Sequence, residues 1–295
     1  MKIIDILNGE TPSLSFEVFP PKTSDKYESV SKAVAEISKL SPSYISVTYG
    51  AGGGTSDYTA RIAQEVTTYG VTSLAHLSCI SSTKEQVSSQ LDCLKALGIE
   101  NILALRGDIP KGFDKSGLEF RYAYELVDKI KTAGDFCIGG ACYPEVHPES
   151  ESAEKDLEYL KIKVDHGCNF LTTQMFFDND IFYRFVEKAN AMGISVPIVP
   201  GIMPITAYSQ IERMVMISGN ELSKNFMELI SKYENDPTSL KKVGIEYAIN
   251  QARNIYESGF NAVHIYSMNK YDVAKEIQEN LRDLIKWLLM ILFLE

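Results

Sequence analysis

The chain has 295 residues, with 29 Lys and Arg against 39 Asp and Glu, for a formal charge of −10. At 45% apolar and 23% charged residues it has the composition of a globular protein with a large core, which excludes wholesale disorder, fibrous repeats and a disulfide mini-protein. No basic stripe offsets the acidic balance, so nucleic acid is not an expected partner.

The first ten residues, MKIIDILNGE, lack the basic, apolar and small-residue regions of a secretory leader. Beyond them, short β-branched and aromatic runs alternate with amphipathic stretches about every 30 to 35 residues. Strands are expected at 14–19, 44–49, 72–79, 101–106, 136–143, 170–176, 196–202 and 262–267. Helices are expected at 25–40, 55–69, 83–97, 119–133, 152–167 and 179–192, several opening on Ser, Thr or Asp and closing at Gly. Residues 204–258 leave room for two or more helices, with NDPTS at 235–239 as a break and restart, so a helical insertion precedes the eighth strand. The alternation predicts an α/β fold, a single-domain (β/α)8 TIM barrel, over an open doubly wound sheet.

That domain is expected over residues 1–284, followed by an apolar tail at 285–295 ending in WLLMILFLE. The tail is too short for a bilayer, which needs about 20 residues, so no membrane association is expected. It is either a last helical turn buried on the barrel or on a neighbouring subunit, or a cloning scar or frameshifted end. The five cysteines, Cys79, Cys93, Cys137, Cys142 and Cys168, are odd in number and lack CxxC spacing, which fits a reducing, cytoplasmic setting.

In such a barrel the active site lies at the C-terminal ends of the strands. Polar residues gather there: Glu17 on the first strand, Thr48 and Tyr49 on the second, His76 on the third, and Arg106 and Asp108 on the fourth. Tyr143 and His147 follow on the fifth, Gln174 on the sixth, and Asn269 and Lys270 after the eighth. A buried polar group costs roughly 1 to 3 kcal/mol unless satisfied, so this shared placement predicts a common ligand. Taken singly, His76 also suits a satisfied core histidine and Thr48 a backbone-bonding strand residue.

Some chemistries lack their residues. His76, His147, His166 and His264 show no HxH or HExxH spacing, so no metal centre is expected. No lysine ends the sixth strand, and Lys161 and Lys163 fall within a helix, which disfavours a Schiff-base aldolase. GAGGG at 50–54 lacks the GxGxxG pattern and no GxxxxGK occurs. The glycine run is either a flexible turn or a close backbone approach to a phosphate or flat ring.

Seven motifs are more specific: SFEVFPPK at 15–22, SVTYGAGGGTSD at 46–57, AHLSC at 75–79, ALRGD at 104–108, GACYPEVHPE at 140–149, TTQMFFD at 172–178 and VPGIMPI at 199–205. Together, over about residues 12–272, they resemble methylenetetrahydrofolate reductase in its short bacterial form. The resemblance implies an FAD-containing barrel. In it, NAD(P)H reduces the flavin and departs, and 5,10-methylenetetrahydrofolate then accepts the hydride by a ping-pong route to 5-methyltetrahydrofolate.

The resemblance also implies residue roles. Glu17 matches the general acid that protonates the folate ring nitrogen, a task that calls for a raised pKa among apolar neighbours. Asp108 matches an aspartate between flavin and pterin, where a carboxylate stabilises a developing iminium. Gln174 matches a glutamine contacting folate and nicotinamide, and Gln210, Met214 and Lys270 complete the substrate side. The implied flavin contacts are Thr48, Ala51, His76, Arg106, Gly107, Asp108, Tyr122, Ala123, Tyr143, His147, Asp156, Tyr159 and Lys163. The chain departs from the family pattern at Tyr159, Ile162 and Met214, where asparagine, arginine and phenylalanine are common. It departs again at Lys270, a point charge in place of an arginine fork.

The expected partners are NAD(P)H, 5,10-methylenetetrahydrofolate and further copies of the chain in a homo-oligomer. An alternative is a folate-binding flavoprotein subunit reduced by an iron-sulfur partner, although the chain has no cluster-type cysteine spacing of its own. A pterin-binding methyltransferase barrel would hold no flavin at all.

Overall fold

The short runs rich in β-branched and aromatic residues do form strands, most of them buried on both faces, and the described strands all pair in parallel. The structure is a computed structural model describing residues 1–49, 56–109, 117–211 and 224–292, the side chains of 56, 224–225 and 287–292 apart. After a short helix α1 (Ile3–Leu7) come β1 (Ser13–Val18), α2 (Tyr27–Ser38), β2 (Tyr44–Val47), α3 (Ser56–Thr68), β3 (Thr72–Ser78) and α4 (Lys84–Ala96). The alternation continues through β4 (Asn101–Leu105), α5 (Ala123–Ala133), β5 (Cys137–Cys142), α6 (Ala153–His166), β6 (Phe170–Thr173) and α7 (Asn179–Ala191). Then follow β7 (Ile198–Val199), β8 (Gly201–Ile202), α8 (Lys224–Ser231), α9 (Pro237–Glu257), β9 (Ala262–Ile265) and α10 (Tyr271–Leu292).

The sheet runs in the order β7-β6-β5-β4-β3-β2-β1-β9-β8. Pro200, which has no N–H to give the ladder, divides one barrel strand into two halves. The first half, β7, pairs with β6 and the second, β8, pairs with β9, so the sheet closes as an eight-stranded barrel. This is the expected (β/α)8 architecture, including the insertion, where Asp236 accepts from the Ser239 N–H and Pro237 occupies the first helical turn of α9. Thr83 and Ser152 likewise accept backbone N–H groups at the starts of α4 and α6, each cap being worth about 1 kcal/mol.

One face of each strand packs against the helices, as with Phe16 and Val18 of β1, Ile45 and Val47 of β2, Ala75 and Leu77 of β3 and Ile102 and Ala104 of β4. The inward face is layered. At the N-terminal end, Tyr44, Leu74, Leu103, Cys137, Phe170 and Val199 form an apolar floor around Ile3. Space is short there: a Cβ on Gly139 would lie 2.6 Å from the Phe170 ring and 2.9 Å from Leu103. Helix α1 plugs the barrel from below, a feature the alternating pattern does not announce because five residues are too few to show a helical period. The Ile3 N–H donates to Asn101 Oδ1 at 2.8 Å, and Asn101 Nδ2 donates to the carbonyls of Met1 and Ser73 at 3.1 Å each.

The insertion has a core of its own. Phe177, beyond β6, stacks at 4.5 Å on Phe226 of α8, which meets Tyr247 of α9 edge-on at 4.8 Å. Helix α10 carries the chain through most of the apolar tail, whose side chains from 287 onward lie outside those described. Among the described residues, no helix is long and apolar enough to cross a membrane.

Removing the plug's anchor tests this account of the floor. Ile3→Ala should lower stability in urea by about 2 to 4 kcal/mol, the usual cost of an unfilled cavity. A loss under about 0.5 kcal/mol would show that α1 lies outside the cooperative core.

Candidate active site

Above the floor the inward residues turn polar, and the barrel opens at the C-terminal strand ends into a cavity of about 1980 Å³. A drug-sized ligand takes roughly 300 to 1,000 Å³, so there is room for a large cofactor and a second molecule together. Among its polar lining, Ser46, His264 and Glu17 are buried.

Register brings these three together. Glu17 is level with Ser46 across the β1–β2 pair, and Ser15, two residues earlier on the same face, is level with His264 across the β1–β9 pair. Ser46 Oγ donates to Glu17 Oε2 at 3.5 Å and lies 3.1 Å from His264 Nε2, while His264 Nδ1 is 2.8 Å from Ser15 Oγ. The single Ser46 hydroxyl proton can therefore serve the carboxylate or the imidazole, one at a time. Nε2 of His76 lies 3.7 Å and Nε2 of His264 4.0 Å from Glu17 Oε2. Burial lowers the His76 pKa to about 4, so this imidazole is neutral at pH 7 and brings no cation to the carboxyl. His76 Nε2 is buried without a hydrogen-bond partner and faces the cavity, which fits a site that receives a ligand.

The backbone around Glu17 is clamped from β9's side. Ser267 Oγ donates to the Glu17 carbonyl at 2.8 Å. Asn269 accepts from the Phe19 N–H at 2.7 Å and donates to the Phe19 carbonyl at 3.0 Å. Asn269 itself has a φ of 60°, a left-handed conformation that asparagine tolerates better than most residues.

A second group lies on the far wall, from β4 to α6. Arg106 forms a bidentate pair with Glu149, its NH2 group donating at 3.0 Å. Gly107 has a φ of 84° and passes so near β3 that a Cβ would stand 2.0 Å from Ser78 Oγ, so only glycine fits. This turn exposes Asp108 to the cavity. Tyr143 packs edge-on against His147 at 4.6 Å, and burial pushes its hydroxyl up to about 12. His147 Nδ1 accepts from the Glu149 N–H at 3.0 Å, so the neutral ring carries its proton on Nε2. Burial and the nearby Arg106 lower the His147 pKa, while burial raises that of Asp156, which accepts from the His147 N–H at 3.2 Å. Lys163, although on α6, reaches inward and donates to the Ala141 carbonyl.

The sequence-based candidates thus divide by position. Thr48, His76, Arg106, Gly107, Asp108, Tyr122, Ala123, Tyr143, His147, Asp156, Tyr159 and Lys163 all line the one cavity, with Glu17 and Gln174. Gln174 Oε1 accepts from the Met175 N–H at 3.1 Å, which directs its NH2 group elsewhere. Gln210 and Lys270 form a separate cluster: Lys270 donates to Thr206 Oγ1, and Gln210 Oε1 accepts from Thr206 and Ala207. Ala51 and Met214 lie outside the described residues. Sequence reasoning assigned no site role to Ser46 and His264. Their signal is parity: Ser46 shares the inward face with the candidate Thr48, and His264 shares it with Tyr266, which also lines the cavity.

Comparison with known proteins follows the same lines. The family model described as methylenetetrahydrofolate reductase matches residues 2–282. The 5,10-methylenetetrahydrofolate reductase of Pectobacterium carotovorum is 36% identical over 266 residues, covering 90% of this chain and 88% of the relative. That of Escherichia coli is 35% identical over 266 residues, covering 90% and 89%. An Arabidopsis thaliana protein, methylenetetrahydrofolate reductase (NADH) 1, is 35% identical over 302 residues, but only 51% of it is spanned. Among solved structures, a Clostridium thermocellum protein described as binding two copies of 5-methyl-5,6,7,8-tetrahydrofolic acid shares the fold at a TM-score of 0.65 and 16% identity. That alignment covers 95% of this chain and 99% of the other.

The buried neutral His76 has a consequence for acid stability. Its folded pKa of about 4 lies below the ordinary 6.5, so the unfolded chain binds the extra proton between those values and stability falls as pH drops through them. The loss attributable to His76 should reach about 2 to 3 kcal/mol near pH 4. Denaturant titrations of the parent and of His76→Gln between these pH values check it; equal slopes for the two proteins would contradict the assignment.

Proposed function

The chain belongs to the methylenetetrahydrofolate reductase family, and on that premise we propose that it reduces 5,10-methylenetetrahydrofolate to 5-methyltetrahydrofolate with electrons from NADH or NADPH, using FAD held in the barrel-top cavity. The observation that carries this proposal is a carboxyl, Glu17, buried beneath one large cavity and bracketed by Ser46 and two imidazoles.

The residues present suit the cofactor. The cavity exceeds what a pterin alone needs, Arg106 and Lys163 offer cations toward a pyrophosphate, and Thr48, Tyr143 and His147 offer polar edges toward the ring system. When bound, FAD supplies two-electron redox chemistry that no side chain has. The protein's own part is acid catalysis and placement.

Glu17 gives its proton to a nitrogen of the folate five-membered ring, and that ring opens to an iminium cation. The carboxylate left behind is met by the Ser46 hydroxyl, which turns from His264 toward Glu17. Asp108, exposed on the opposite wall, sets a negative charge near the developing cation. Gln174, with Oε1 engaged by its own strand end, presents its NH2 group to whichever substrate occupies the cavity. The loop clamp from Ser267 and Asn269 fixes the Glu17 backbone, which matters because a misplacement of about 1 Å can cost about a hundredfold in rate.

The measurement is the visible spectrum of the purified protein. It should show oxidised flavin, and anaerobic NADH or NADPH should bleach it. Bleaching by neither nucleotide would favour a subunit served by an iron-sulfur partner, and a colourless protein that cannot be reconstituted with FAD would defeat the flavin assignment. In Glu17→Gln, nicotinamide should still reduce the flavin, while folate turnover falls by about 10² to 10⁴, the scale of general acid catalysis. Equal loss of both half-reactions would remove Glu17 from the acid role.

A further inference from the structure

The backbone ladder between β1 and β9 runs from the level of Ser13 and Ala262 to that of Phe16 and Ile265, where it stops. Glu17 and Val18 keep their partners on the β2 side, level with Ser46 and Val47. On the β9 side the chain turns away. The Ser267 N–H donates to the Ile265 carbonyl at 2.9 Å, and Met268 and Asn269 follow with φ of 55° and 60°. Two consecutive non-glycine residues in the left-handed region are uncommon, and such strain persists only where the surroundings impose it.

What imposes it is a substitute for the missing ladder. Ser267 Oγ donates to the Glu17 carbonyl, while the Asn269 side chain accepts from the Phe19 N–H and donates to the Phe19 carbonyl. A residue inside a sheet receives the same pair of bonds from its neighbouring strand. The Phe19 N–H is the last that this arm can offer, because Pro20 and Pro21 have none. The loop is tied on its other side as well, with Lys270 donating to Thr206 Oγ1 and Asp272 paired with Lys241 of α9. Glu17 and Phe19 line the cavity, whereas Ser267 and Asn269 are not among its described lining residues. Asn269 therefore acts on a ligand through the residues it holds.

We propose that Asn269 is a positioning residue of the folate half-reaction: its side chain stands in for the β9 backbone at Phe19, and so fixes the height and direction from which Glu17, two residues earlier, delivers its proton. The inference rests on Glu17 being the acid and adds what aligns it. An acid must lie within hydrogen-bond reach of the atom it protonates, so a small shift of the strand tip matters there. Reduction of the flavin by nicotinamide takes no proton from Glu17 and is indifferent to the clamp.

Two variants separate alignment from folding. Asn269→Gly removes the clamp while suiting the left-handed backbone, and Asn269→Asp keeps the acceptor toward Phe19 but, as a carboxylate, has no donor for the carbonyl. Anaerobic stopped-flow absorbance of the flavin reads each half-reaction alone. In Asn269→Gly, reduction by NADH or NADPH should stay within about threefold of the parent, while reoxidation by 5,10-methylenetetrahydrofolate falls about a hundredfold, the scale of a misplacement of about 1 Å. Asn269→Asp should lose about tenfold in that step alone. In a Glu17→Gln background, adding Asn269→Gly should slow reoxidation by less than about threefold, because no acid is left to misplace. Equal slowing of both half-reactions, reoxidation within about threefold of the parent in the Asn269 variants, or full additivity with Glu17→Gln would overturn the inference and leave the flavin and folate assignments intact. Where Asn269→Gly does not fold, the same criteria apply to Asn269→Asp. A parent whose flavin neither nucleotide reduces would overturn the proposed function and this inference with it.

Discussion

The register of β1 against β2 and β9 decides what the top of the barrel can do. It places Glu17 beside Ser46 and sets Ser15 and His264 one inward layer below, giving a carboxyl, two hydroxyls and an imidazole in a nearly dry interior. An isolated buried charge would cost far more than any one hydrogen bond returns, so such a layer persists only if its members satisfy one another. The serines do this for His264, and Ser46 joins the imidazole to Glu17. Among the described cavity-lining side chains, His76, neutral and with Nε2 unpartnered, and Thr172, with Oγ1 unpartnered, are exceptions.

Stability and function are divided along the barrel axis. The N-terminal end is closed by α1 and an apolar floor with no spare volume, which supplies rigidity. The C-terminal end gives up packing for a large cavity and accepts exposed tyrosines, a left-handed asparagine and a glycine pressed against β3. Barrel enzymes generally place catalysis on the loops at this end, where side chains can vary without disturbing the strands. Here the loop after β9 reaches back to hold Phe19 and Glu17, so the end of β1 is braced beyond its ladder with β9.

Much of the fold was legible because parallel strands and crossover helices leave strong periodicities. The eight strand positions and the six helices between 25 and 192 emerge within a few residues of their observed bounds, and Asp236 and Pro237 mark the start of α9 as their chemistry requires. Strand-end logic likewise located Glu17, Thr48, His76, Arg106, Asp108, Tyr143, His147 and Gln174 in the cavity lining, whereas Tyr122, Asp156, Tyr159 and Lys163 came only through the family resemblance. What escaped was tertiary in origin. Ser46 and His264 lie within strands and become neighbours of Glu17 only through closure of the sheet between β1 and β9. Helix α1 forms because the barrel floor accepts Ile3 and Asn101 binds its backbone, neither of which a five-residue window contains.

Under the proposed function, the nicotinamide and folate substrates take turns in the described cavity above Glu17. Initial rates measured while both concentrations are varied test this directly. The account predicts parallel lines in double-reciprocal plots, with each substrate at high concentration inhibiting competitively against the other. Lines that intersect, together with simultaneous binding of both molecules to one protein, would contradict it.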